Sequence, residues 1–112
     1  MEDRSPSLMA GVPELMILRL LSEREMYGYE LARAIRIVSK ETLAIGEGVL
    51  YPALHALEAR RLLRSRSARV DGRTRVYYTL SARGARRLAK LTEEWRRISA
   101  GVDSVLGSAV DG

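Results

Sequence analysis

The segment from Ala82 to Leu106 carries the pattern that restricts this chain most. Leu88, Leu91, Trp95, Ile98, Val102 and Val105 recur at intervals of 3, 4, 3, 4 and 3 residues. That alternation is the a/d seam of a helix packed lengthwise on another helix. A mostly polar helix has no use for so narrow an apolar stripe unless something covers it. The seam predicts a C-terminal helix over 82–106 that pairs with a second copy of the chain through those six residues. Ser81 stands where it caps this helix, and Gly101 weakens it locally.

Asp71-Gly72, just upstream, is a strong signal for a two-residue hairpin turn. It separates "LLRSRSARV" (62–70), which alternates loosely, from "RTRVYYTL" (73–80), which is rich in β-formers. Six arginines border this hairpin: Arg61, Arg64, Arg66, Arg69, Arg73 and Arg75. Tyr77 and Tyr78 point to opposite faces of their strand, so one of them belongs to the core.

Three helical patterns precede the hairpin. "VPELMILRLLSE" (12–23) starts with Pro13 in a favoured first-turn position and is apolar on so broad a front that it must be mostly buried. Residues 24–40 form a second helix with an inward stripe of Leu31, Ile35 and Val38, its start marked by Tyr27-Gly28-Tyr29. "GEGVLYPALHALEARRLL" (46–63) forms the third. Its leucines at 50, 54 and 57 share one face, while Tyr51, His55 and Arg60 lie on the other. Pro52 is awkward inside a helix and is expected in the first turn.

A chain of 112 residues fits one domain, and 46% hydrophobic content suffices for a core. There is no cysteine, which excludes disulfides and thiolate metal sites. The lone histidine, His55, does not make a zinc site. No metal or other cofactor is expected. No nucleophile–base pair stands out, and Gly46-Glu47-Gly48 lacks the Gly-Lys-Ser/Thr ending of a phosphate-binding loop, so the chain does not read as an enzyme. No apolar run approaches the roughly 20 residues of a membrane span, and no signal peptide is evident, so a cytoplasmic location is expected.

The net charge of +5 is unevenly spread. Residues 1–50 hold 6 Lys+Arg and 8 Asp+Glu, whereas residues 51–112 hold 13 and 6. All the basic residues of the second part are arginines except Lys90. Arginine forks match phosphate oxygens and guanine edges.

Three helices followed by a basic hairpin is the order of a winged helix-turn-helix, a mainly α fold with a small β-hairpin. The third helix would enter the major groove and the hairpin would be the wing. The chain then divides into a flexible N-terminus (1–11), a DNA-binding domain (12–81), a dimerisation helix (82–106) and a frayed tail (107–112). Small residues at the start of the third helix let it approach DNA closely, and its free N–H groups suit a phosphate.

The same residues resemble a known family. "YGYELARAI", "GVLYPALHALEARRLL" and "DGRTRVYYTLSARG", in that order and spacing, are similar to the PadR family of bacterial transcriptional regulators. The likeness runs from about Pro13 to Leu106. Its specific parts are Tyr27 to Leu31, Leu50 to Leu54, and Tyr77-Tyr78 leading to Ser81 and Gly84. It implies a homodimer, usually a repressor, on an inverted-repeat operator, dimerised by the C-terminal helix and nucleoid-associated when bound. A single C-terminal helix corresponds to the compact branch, some members of which take flat aromatic effectors near the dimer interface. Val49 departs from the family's usual Thr or Ser, and Ala82 and Arg83 stand where acidic residues are common.

The expected DNA contacts are Tyr27, Gly28, Gly48, Val49, Tyr51, Pro52, His55, Arg69, Arg73 and Arg75. Tyr51 is either a contact or a packing residue. Trp95 is either plain dimer packing or a wall for a planar aromatic effector. The alternative to an operator-binding repressor is a winged-helix module that binds protein or RNA. Strong salt dependence without sequence preference would mark that alternative.

Overall fold

The computed structural model describes residues 11–108. Apart from Gly11, Gly107 and Ser108, the expected flexible N-terminus and frayed tail lie outside the described residues. The element order is α1 (Val12–Leu21), β1 (Met26–Tyr27), α2 (Gly28–Val38), α3 (Glu47–Ala59), β2 (Leu63–Val70), β3 (Arg73–Leu80) and α4 (Ala82–Leu106). The strands make one antiparallel sheet in the order β1-β3-β2. This is a winged helix-turn-helix followed by one long helix.

The core forms where the apolar faces of the three short helices meet one face of the sheet. Ile17 and Leu18 of α1, Leu31 of α2, Leu50 and Leu54 of α3, and Leu63 of β2 are all essentially inaccessible. Each such side chain contributes roughly 1.5–3 kcal/mol by leaving water. Tyr78 is the buried member of the tyrosine pair, and Tyr77 lies half-buried on the outer face. Burial raises the Tyr78 pKa, with the Glu58 carboxylate and Tyr51 adding to the shift.

The second helix starts later than its sequence pattern suggests. Met26 and Tyr27 are extended and pair with Tyr78 and Tyr77 instead. The Tyr27 N–H donates to the Glu30 carboxylate (3.2 Å), which satisfies one free donor at the helix start. Val38, expected inward, is exposed near the end of α2.

Both α2 and α3 stop in the same way. Lys40 (φ 56°) and Arg61 (φ 63°) take the left-handed conformation that glycine usually supplies there. The next residue then bonds back: the Glu41 N–H to the Arg36 carbonyl, and the Leu62 N–H to the Leu57 carbonyl. A non-glycine residue in this region costs about 1–2 kcal/mol. Pro52 is not in the first turn but at the sixth position of α3. Its missing N–H leaves the Gly48 carbonyl without a helical partner, on the exposed side.

α4 spans the expected residues, and its Ser81 cap accepts the Gly84 N–H at 3.0 Å. Gly84 is buried against the Leu62 carbonyl oxygen, with which any Cβ at this position would collide. Glu14 of α1 ties three elements together, accepting from Arg87 of α4 (3.0 Å) and from Arg60 at the end of α3 (3.4 Å). Leu88 and Leu91 pack against the chain's own core, so the first part of the expected dimer seam is covered from within. Beyond it, Trp95, Ile98, Val102 and Val105 are 43%, 49%, 43% and 71% exposed.

Candidate nucleic-acid interface

The first two turns of α3 are bare on one side. Gly46 precedes the helix in extended conformation, and Gly48, Val49, Pro52 and His55 are all exposed. The leucines at 50, 54 and 57 hold the opposite face in the core. This division follows from sequence spacing: apolar residues four and three apart face inward, and what lies between them faces out. Tyr51 is intermediate in role, 37% exposed with its ring laid over Gly28.

That contact corrects the expectation for Gly28. It is buried, and a Cβ there would stand 2.5 Å from the Tyr51 hydroxyl oxygen. Gly28 therefore has no surface to offer DNA. Its absent side chain is what lets α3 close on the start of α2.

The hairpin is fully paired from Leu63 opposite Leu80 to Val70 opposite Arg73. Asp71 (φ 50°) and Gly72 (φ 77°) are both left-handed, the geometry of a tight turn that follows the strands' own twist. Arg69 folds across this turn, donating to the Gly72 carbonyl at 3.1 Å. Arg73 is exposed beside it.

Arg75 is differently placed from the free finger its sequence position suggests. Its guanidinium lies 4.5 Å from the centre of the Tyr27 ring. A hydrogen bond with Tyr77 holds it still more firmly in the charged form. Tyr27 is accordingly half-buried, edge-on to Tyr77 at 5.5 Å and stacked with Tyr29 at 6.4 Å. Arg66 lies 4.8 Å over the Tyr77 ring and forks onto both Glu25 carboxylate oxygens at 2.7 and 2.6 Å. This arginine holds the Glu25 carboxyl below its usual range. The outer face of the sheet is thus a ladder of alternating arginine and tyrosine, clamped at its base by one acid.

Sequence reasoning passed over Glu25, because its partner is 41 residues away and no local pattern joins them. It also passed over Glu14, for the same reason. The arrangement offers an exposed helix start beside an exposed basic turn, both carried on a rigid core. Those are the two surfaces a winged helix brings to a duplex, one for base edges and one for the backbone.

Comparison with known proteins agrees. Residues 17–90 match the Transcriptional regulator PadR-like family. The chain is 37% identical over 93 residues to Transcriptional regulator Rv3488 of Mycobacterium tuberculosis, covering 83% of this chain and 81% of that protein. A solved transcriptional regulator from Clostridium thermocellum superposes with a TM-score of 0.81 at 30% identity, covering 87% of this chain and 95% of the other. A PadR family transcription regulator from Clostridium difficile gives 0.75 at 30% identity, over 87% of this chain and 100% of that one. Among the described residues no helix is long and apolar enough to cross a membrane. The chain belongs to the PadR-like family of transcriptional regulators, and it is a regulator rather than an enzyme.

Proposed function

We propose that the protein is a homodimeric, cytoplasmic repressor that binds an inverted-repeat operator and leaves it when a small planar effector binds. The observation that carries the reading is the bare start of α3, held by a buried leucine face next to the exposed turn of the wing. In this reading Gly48, Val49, Tyr51, Pro52 and His55 meet base edges. Arg73 and Arg69 meet phosphates, while Tyr27, Gly28 and Arg75 brace the contact surface from behind.

The dimer reading draws on α4. Trp95, Ile98 and Val102 leave a strip of apolar surface that a two-fold partner helix would cover. Beside it runs a groove of about 470 Å³ lined by Leu15, Met16, Leu20, Ile35, Val38 and Trp95. An indole wall in an apolar groove suits a flat ring, and stacking on such a face adds about 0.5–1.5 kcal/mol beyond area burial. An effector that prefers a different spacing of the two subunits would weaken operator binding by population shift.

Selection from a pool of random-sequence duplexes tests the operator reading. The expected product is a two-fold symmetric sequence with half-sites about 10 base pairs, or a multiple, apart. A retained pool with no preference would refute it and favour a module for RNA or protein. Calorimetry with a planar acridine, on wild type and Trp95→Ala, tests the effector reading. The expected loss in the variant is about tenfold, worth ~1.4 kcal/mol. Equal binding would make Trp95 a packing residue only.

A further inference from the structure

We propose that the corner where α3 ends and α4 begins is a second site for the phosphate backbone of duplex DNA, apart from the reading end of α3. The inference rests on the DNA-binding reading above. Arg83, Arg86 and Lys90 recur at i, i+3 and i+7 on α4 and are exposed, so they form one basic stripe. A hollow of about 620 Å³ opens beside them, with Arg61 and Arg64 on its rim and Arg83 between it and a second hollow of about 490 Å³ reached by Arg86 and Lys90.

Charge balance sets these residues apart. Two neighbouring arginines, Arg60 and Arg87, are paired with Glu14. Among the described residues, no ion pair or side-chain hydrogen bond engages Arg61, Arg64, Arg83, Arg86 or Lys90. The acid lining the first hollow, Glu58, already accepts from the Ser65 hydroxyl at 2.5 Å.

Two local rules are broken at this one corner. The first turn of α4 holds no acid, and Arg83 sits there against the positive end of the helix dipole. Arg61 takes a left-handed conformation that favours glycine. Residues that break local rules together at one place are a mark of function.

The corner is remote from the reading surface. Thirteen residues of α3 put it about 20 Å from that helix's first turn, and eight residues of β2 put it about 27 Å from the hairpin turn. The chemistry favours DNA over an acidic protein. A protein partner needs an aromatic or aliphatic anchor, and none of the large apolar side chains exposed among the described residues lies here. A phosphate backbone needs only spaced cations. Those phosphates belong either to the flank of the bound duplex, bent back, or to a second duplex.

The test is a salt series on a duplex of about 40 base pairs and arbitrary sequence, long enough for a dimer with flanks. Wild type is compared with Arg83→Ala/Arg86→Ala/Lys90→Ala. Each phosphate released lowers the slope of log K against log salt by about 0.9, so the triple variant is expected to lose two to three units. Arg83→Lys/Arg86→Lys is expected to keep the slope, and the triple variant to melt no lower than wild type. An unchanged slope, or a slope lost together with melting temperature, overturns the inference. Energy transfer between two differently labelled duplexes, present with wild type and absent with the triple variant, identifies a second duplex. A lowered slope without transfer identifies the flank. Tyr51→Ala/His55→Ala separates the two readings. If wild type and this variant show the same lack of sequence preference while the triple variant still loses slope, the operator reading fails and the second site stands.

Discussion

Gly28 and Gly84 are both buried because something else occupies the place of a side chain, but the occupants differ. At Gly84 it is the Leu62 carbonyl oxygen, a backbone atom with nowhere to go. Gly84→Ala must push α4 away from the core, an overpacking cost of about 1–3 kcal/mol. A fall in melting temperature of roughly 5–15 °C is expected, measurable by circular dichroism. At Gly28 it is the ring of Tyr51, a side chain that swings. Gly28→Ala is therefore expected to melt within a few degrees of wild type and yet bind DNA more weakly, since Tyr51 is displaced from α3's reading end. Equal losses of stability in the two variants would show that the Tyr51 ring is as immovable as backbone.

The hairpin is anchored to the rest of the protein by the fork between Arg66 and Glu25. The Glu25 carboxyl is held below its usual range by that hydrogen bond, so the fork is whole at neutral pH. Its contribution is present above the ordinary glutamate range and is lost as pH falls through the lowered value. Amide signals of β1 and β2 should report that titration, and Glu25→Gln should abolish it. The same variant releases Arg66 toward phosphates, so its salt slope should steepen by up to about one unit. A slope equal to wild type would show that Arg66 faces away from DNA. The anchor itself is invisible in sequence, as is β1, because both depend on partners some 40 to 50 residues away. What depends on neighbours was legible: α4 from its cap and seam, the hairpin from Asp71-Gly72, the face of α3 from its leucines. The stop of α3 at Ala59 was not, because Arg61 stands where glycine would have announced it.

The protein is drawn out, 66 Å in its longest dimension, with a radius of gyration of 16.6 Å. A compact chain of this length would have about 13 Å. The excess comes from α4, whose second half leaves the core and meets nothing in its own chain. A partner helix is the economical cover for that half. Leu91 is a poor probe of it, since it also holds the core. Ile98→Asp/Val102→Asp instead places charges only where the partner would bury them. Sedimentation should show wild type as a dimer at micromolar concentration and the variant at least about 100-fold weaker in association. A variant that remains dimeric would place the interface elsewhere. The distribution of chromophores makes this same question answerable by light. The chain has one tryptophan and five tyrosines, and every tyrosine lies in the winged part while the indole lies alone on α4. Red-edge excitation therefore reads the subunit contact with no label attached. Its emission should shift toward the blue as the 43% exposed indole is covered.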